Sequence, residues 1–100
     1  MKLDGVFRRE REIYVKEEDL YLFYRMRQRT DADGRICYDL EIVQRCGKEE
    51  SECRLCDVAT SCSMAERIWE LFVKGLVTPE TAQDILEELL SDACFVWGFA

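Results

Sequence analysis

Histidine and asparagine are absent from this 100-residue chain, and there is a single proline. The missing histidine removes the commonest general base and the usual activator of a nucleophilic serine or cysteine, and the missing asparagine removes a common oxyanion donor. No serine, threonine or cysteine stands in a recognisable nucleophile motif, and no glycine-rich stretch of the kind that cradles a phosphate occurs. Carboxylates are plentiful, but Glu87, Glu88 and the run Glu17 to Asp19 fall where solvated helix faces and turns keep them. The expectation is a protein that is not an enzyme and needs no cofactor.

Two further scarcities narrow the class. No apolar run approaches the roughly twenty residues of a membrane-spanning helix, and MKLDGVFRREREIYV lacks the uninterrupted apolar stretch of a signal peptide. A cytoplasmic protein without membrane contact is expected. Basic charge is also short: 14 Lys and Arg stand against 21 Asp and Glu, for a net charge of −7. An acidic surface repels phosphate, so neither nucleic acid nor an anionic membrane is an expected partner.

What is present describes one folded domain. Hydrophobic residues make up 48% and charged residues 35%, far more apolar material than a disordered chain carries. A chain of this length buries roughly two-thirds of its unfolded surface, enough for a single core.

The first half alternates with the period of a strand. In DLYLFYRMRQR the even positions Leu20, Leu22, Tyr24 and Met26 form an apolar row, with Arg25, Arg27 and Arg29 on the other face. In RICYDLEIVQR the even positions Ile36, Tyr38, Leu40 and Ile42 form a second row, with Asp39 and Glu41 opposite.

TDADGR sets the register between them. A type I turn over Asp31 to Gly34, with Gly34 left-handed, pairs Asp31 with Arg35 and puts both apolar rows on one side of the sheet. It also sets Arg27 opposite Asp39 and Arg25 opposite Glu41, two cross-strand ion pairs. Upstream, EIYV supplies a shorter strand through KEED, with Val15 facing Leu20 and Ile13 facing Leu22. Downstream, SECRLCDV supplies a fourth across CGKEES.

The second half has helical spacing. SMAERIWELFVKG carries Ala65, Ile68, Trp69, Leu71 and Phe72, starts with the capping-box pair Ser63 and Glu66, and ends at Gly75. TPETAQDILEELLSD starts with Thr78 as cap and Pro79 in the first helical position, and carries Ala82, Ile85, Leu86, Leu89 and Leu90. The predicted fold is α+β. An antiparallel meander of three to four strands, about residues 10–60, is packed on one face by a two-helix hairpin, about 61–92, and an apolar tail follows over 93–100. The tail, with Phe95 and Trp97, is expected to pack back on the domain or to reach a partner.

Six cysteines, at 37, 46, 53, 56, 62 and 94, are the conspicuous reactive groups. In a reducing compartment they stay thiols rather than forming a disulfide framework. Cys46, Cys53, Cys56 and Cys62 supply the four thiolates of a structural zinc site, and that is the competing view of the domain. Geometry opposes it. On an extended strand, residues three apart point to opposite faces and lie about 10 Å apart, whereas two sulfurs on one zinc lie within about 4.6 Å of each other. The alternation of Cys53 and Leu55 favours the strand, so no metal is expected. A thioredoxin-like redox role would need the C-x-x-C at a helix start, several residues further on.

The outward face of the sheet is the other feature with functional content. Tyr21, Phe23 and Val43 lie there among Arg25, Arg27 and Arg29, an arrangement that elsewhere stacks nucleic-acid bases. Here Asp39 and Glu41 neutralise two of the arginines, which leaves Tyr21, Phe23 and Val43 as an expected exposed apolar patch. Such patches mark protein contacts or dimer seams. The expected role is a small noncatalytic protein-interaction or regulatory module, with a protein partner or self-association as a homodimer through the open face or the tail.

The order of these elements, with DVATS (Asp57 to Ser61) leading into the first helix and Val77, Thr78 and Pro79 turning into the second, resembles a family of small bacterial proteins classed as a domain of unknown function. The resemblance spans about residues 10–90. It implies the same order of strands and helices, and it carries no activity, cofactor or catalytic residue.

Overall fold

A computed structural model describes residues 6–97 of the chain, with side chains over 9–96. Four strands, β1 (Val6–Val15), β2 (Leu20–Thr30), β3 (Ile36–Cys46) and β4 (Glu49–Leu55), form one antiparallel sheet in sequence order. Two long helices follow, α1 (Cys62–Lys74) and α2 (Pro79–Ser91), then a short α3 (Ala93–Trp97) at the start of the apolar tail. The expected α+β meander under a helical hairpin is what the chain forms.

The turns explain the register. Between β2 and β3, Asp31 Oδ1 accepts from the backbone N–H groups of Asp33 and Arg35, both at 2.9 Å. Gly34 sits at φ +83° and its N–H reaches Asp31 O at 3.0 Å. That geometry sets Arg27 opposite Asp39 and Arg25 opposite Glu41, as the sequence predicts. Between β3 and β4 the loop is only Gly47 and Lys48, with Gly47 at φ +64° in the first loop position, as a type II′ hairpin requires. Between β1 and β2 a single 3₁₀ turn, Lys16–Glu18, ends on left-handed Asp19, whose carboxylate accepts from the Tyr14 hydroxyl at 2.9 Å. Ile13 faces Leu22 and Val15 faces Leu20 as expected, but β1 extends back to Val6 across a bulge between Phe7 and Arg9.

One side of the sheet is covered. Leu22, Tyr24, Met26, Tyr38, Leu40, Ile42 and Leu55 bury against Met64, Ala65, Ile68, Trp69 and Phe72 of α1 and Ala82 and Leu86 of α2. Each large apolar side chain buried this way contributes roughly 1.5–3 kcal/mol. Trp69 meets Tyr24 edge to face, with ring centroids 6.4 Å apart. The Tyr24 hydroxyl donates to Val77 O at 2.9 Å, and burial pushes its pKa up to about 12. The structure extends 42 × 41 × 17 Å, thick enough for one sheet and one helical layer, so the opposite side of the sheet has no covering layer among the described residues.

Four local expectations are corrected. The α1 cap is Ser61, whose Oγ accepts from Met64 N at 3.2 Å, and not Ser63, which lies inside the first turn. Glu66, the expected capping-box partner, instead pairs with Arg9 of β1. Ile36 does not join the buried row: it is 48% exposed, because the helical layer stops short of that end of β3.

Finally, the ion pairs between β2 and β3 run diagonally rather than straight across. Arg29 meets Asp39 at 2.7 Å and Arg27 meets Glu41 at 3.5 Å, while Arg25 turns to Glu10 at 3.3 Å. Directly opposite pairs form as well, since Glu10 faces Arg25 across β1 and β2 and Glu50 faces Arg45 across β3 and β4, 2.7 Å apart; both arrangements lie within cross-strand reach.

Candidate interaction surface

Alternation places every odd-numbered β2 and β3 side chain on the uncovered face. Pairing then assembles rows that cross all four strands. One row is Glu10, Arg25, Glu41 and Arg54, alternating in sign from edge to edge. The next is Glu12, Phe23, Val43 and Glu52, an apolar centre between two carboxylates. The third is Tyr14, Tyr21, Arg45 and Glu50. Tyr21, Phe23 and Val43, the three residues singled out from the sequence, therefore touch one another's rows and line a shallow hollow of about 320 Å³ with Glu12, Arg45 and Glu50.

The charges around this hollow are spoken for. Arg45 pairs with Glu50 at 2.7 Å, and the Arg25 guanidinium lies 5.1 Å over the Phe23 ring. A hydrogen bond to Glu12, then the little burial available and the Glu12 charge, raise the Tyr21 phenol above its ordinary pKa. Three rim residues, Glu12, Arg45 and Glu50, were not singled out from the sequence. The signal for them was the register itself, since each is a cross-strand neighbour of Tyr21, Phe23 or one another.

At the β3 end of this face, Asp39 has no solvent exposure. Its Oδ2 accepts from Arg29 at 2.7 Å and lies 3.5 Å from Arg54, and its Oδ1 accepts from the Asp57 backbone N–H at 2.9 Å. Burial alone would raise its pKa. The Arg29 hydrogen bond, the Asp57 N–H and the charges of Arg29 and Arg54 outweigh burial and hold the carboxyl below its ordinary value. Asp57 is left-handed at φ +54°, and the next N–H, that of Val58, reaches Tyr38 O at 2.8 Å. Asp39 thus ties the chain leaving β4 to β3 and starts the descent into α1.

The remaining sequence candidates are scattered. Phe95 lies with the helical layer, half-buried against the core, and does not join the Tyr21–Phe23–Val43 patch. The Trp97 side chain lies outside the described residues. Cys46 closes the β3–β4 hairpin and Cys62 opens α1, both exposed, and Cys56 is exposed just past β4. Cys53 points to the helix-covered face, packed against the core, where burial pushes its thiol pKa up. Among the described residues no group of three or more Cys, Asp or Glu side chains converges as a metal site.

A cavity of about 190 Å³ opens at the end of the sandwich between Ile36, Val58, Ala59, Thr60, Met64 and Leu90, with the Arg35–Asp57 pair at 3.5 Å across its mouth. It is smaller than the roughly 300 Å³ at which ordinary ligand clefts begin. No helix among the described residues is long and apolar enough to cross a membrane. No family model, curated protein or solved structure matches the chain.

Proposed function

We propose that the protein is a small noncatalytic interaction module of the cytoplasm that docks a protein partner on the open face of its sheet. The observation that carries this reading is the Glu12, Phe23, Val43, Glu52 row: an apolar centre on a rigid sheet, flanked on both sides by carboxylates, with no layer over it among the described residues. Tyr21, Phe23 and Val43 are half-buried among their neighbours on this face rather than fully exposed as the sequence suggests. An apolar strip on a regular surface with no covering layer still marks a contact site, and its aromatic members supply area at low entropic cost. The arginines of the same face are engaged with carboxylates or stacked on Phe23, which leaves little free positive charge for phosphate. The partner that fits carries an apolar anchor between lysines or arginines, and the chain's net charge of −7 favours such a basic partner at long range.

The test uses the tagged full chain in cells. Phe23→Glu places a charge at the centre of the row while leaving the covered core untouched, and Glu88→Lys on the exposed side of α2 serves as the control. The expected result is a co-purifying protein present with wild type and Glu88→Lys and lost with Phe23→Glu, all three showing the same thermal unfolding. Identical partners for wild type and Phe23→Glu, or none for wild type, would remove the open face as the docking site.

A further inference from the structure

The sheet has two free edges, and they differ in what they offer a second copy of the chain. In a two-residue hairpin the closing pair, here Cys46 and Glu49, exchanges both of its hydrogen bonds. The ladder then alternates. Glu49, Ser51, Cys53 and Leu55 turn their peptide groups toward β3, and Glu50, Glu52 and Arg54 turn theirs outward. The Val58 N–H to Tyr38 O bond continues the same phase on β3. Glu50, Glu52 and Arg54 are exposed, and no further strand adjoins β4 among the described residues.

Two copies related by a two-fold axis normal to the sheet pair antiparallel, and helix-covered sides stay together only if each residue meets a residue of its own face. For β4 this leaves few registers. Centring on Glu52 sets Glu52 against itself, centring on Ser51 sets Glu50 against Glu52, and centring on Arg54 sets Arg54 against itself. Centring on Cys53 sets Glu52 opposite Arg54 of the second copy, twice by symmetry, with Ser51 opposite Leu55, so that within the stretch Ser51 to Leu55 no like charges face each other. The outward peptides of Glu52 and Arg54 then exchange ladder hydrogen bonds, and the two Cys53 residues meet in a non-hydrogen-bonded position on the helix-covered side.

We infer that the protein self-associates through β4 in the register centred on Cys53, joining two four-stranded sheets into one of eight strands. Cys53 is only half-buried although it lies on the helix-covered side, so α2 leaves its thiol within reach from the edge. Joining the edges lays the two open faces side by side and doubles the width of the proposed docking surface. It does not depend on that surface having a partner.

Non-hydrogen-bonded antiparallel neighbours have Cα atoms about 4.5 Å apart, within the range a disulfide spans. The experiment uses the full chain with the exposed thiols removed, as Cys46→Ser, Cys56→Ser, Cys62→Ser and Cys94→Ser together. Copper(II)–phenanthroline serves as oxidant, taking up the two electrons as two thiols lose their protons and form one S–S bond. The expected result is a reducible dimer band that disappears when Cys53→Ser is added. In sedimentation of the unoxidised protein, Glu52→Arg, which sets arginine against Arg54, is expected to raise the dimer dissociation constant at least ~10-fold. Phe23→Glu is expected to leave it unchanged.

A protein that stays monomeric at all concentrations overturns the inference. So does a dimer that gives no Cys53 crosslink and tolerates Glu52→Arg. A dimer lost with Phe23→Glu and kept with Glu52→Arg assigns self-association to the open face instead, and overturns the edge register while leaving that face in use.

Discussion

Asp39 ties together β2 through Arg29, β4 through Arg54 and the linker leading to α1 through the Asp57 N–H. Its carboxylate has no solvent contact, but its cover is thin, a layer of guanidinium groups whose own side chains are 27% and 51% exposed. Removing one partner of such a buried pair strands the others, at a cost of about 3–5 kcal/mol where the pair is deep. The thin cover places Asp39→Asn near the lower end, about 2–3 kcal/mol at neutral pH, because the amide turns a donor toward Arg29.

The pH dependence has a definite sign. Asp39 is held below its unfolded pKa, and so is Asp31, chiefly by the Arg35 backbone N–H. Carboxylates of this kind contribute stability that is present above the unfolded value of roughly 4 and is lost as the pH falls through the lower folded value. Urea unfolding at pH 7, 5 and 3.5 is expected to show a large gap between wild type and Asp39→Asn that narrows below about pH 4. A gap that stays constant across this range would mean that the carboxylate charge has no part in it.

At the scale of elements, the ends of α1 show what a sequence reveals and what it hides. Ser61 and Ser63 are both competent caps, and a sequence pattern alone prefers Ser63 because Glu66 follows three residues later. The choice is made by Arg9, a β-strand residue distant in sequence that takes Glu66 for itself. At the other end, glycine is expected to be the left-handed residue, yet Gly75 is right-handed at φ −82° and Leu76 takes φ +51°. The N–H groups of Leu76 and Val77 close the helix on Val73 O and Phe72 O, and buried Val77 fixes where the chain must go.

Tertiary packing has therefore moved the left-handed position one residue past the glycine. Because a left-handed leucine is strained by about 1–2 kcal/mol and this one is 40% exposed, Leu76→Gly is expected to stabilise the protein by about 0.5–1 kcal/mol. Thermal melting would show it as a midpoint raised by a few degrees. A lowered midpoint would mean that the Leu76 side chain contributes more by packing than its backbone costs.

The same contrast holds for the sheet. The β2–β3 register and turn and the inward row from Leu22 to Ile42 follow from alternation and turn chemistry, which are local, whereas the β3–β4 turn expected over Cys46 to Ser51 tightens to Gly47 and Lys48 and starts β4 two residues early. The diagonal ion pairs, the exposure of Ile36 and the burial of Asp39 depend on the reach of side chains and on where the helical layer stops. That Tyr21, Phe23 and Val43 share the open face was legible because alternation names a face, whereas Phe95 lies with the helical layer, and a linear pattern cannot say which layer a tail joins.

For the whole molecule, the two edges of the sheet provide a measurement in which one serves as the control for the other. The Asp31–Arg35 closing bond fixes the phase of β2: its odd residues face β3 and its even residues face β1. On β1 the peptides of Glu10, Glu12 and Tyr14 consequently point outward, as those of Glu50, Glu52 and Arg54 do on β4. Pairing β1 with a second copy near its centre, about Arg11, would set Glu10 against Glu12 twice and arginine against itself, and the Phe7–Arg9 bulge twists the start of that edge away. In that register β1 sets like charges together, whereas the proposed β4 register sets unlike charges together.

Amide hydrogen exchange reads both edges in one sample. In dilute solution both outward sets are expected to exchange fast, while Leu22, Tyr24, Leu40 and Ile42 in the covered ladder exchange slowest. As the concentration rises, Glu52 and Arg54 are expected to become protected while Glu10, Glu12 and Tyr14 stay fast. Protection arising on β1, or on neither edge while the protein sediments as a dimer, would show that the charge pattern of the edges does not govern how the copies meet.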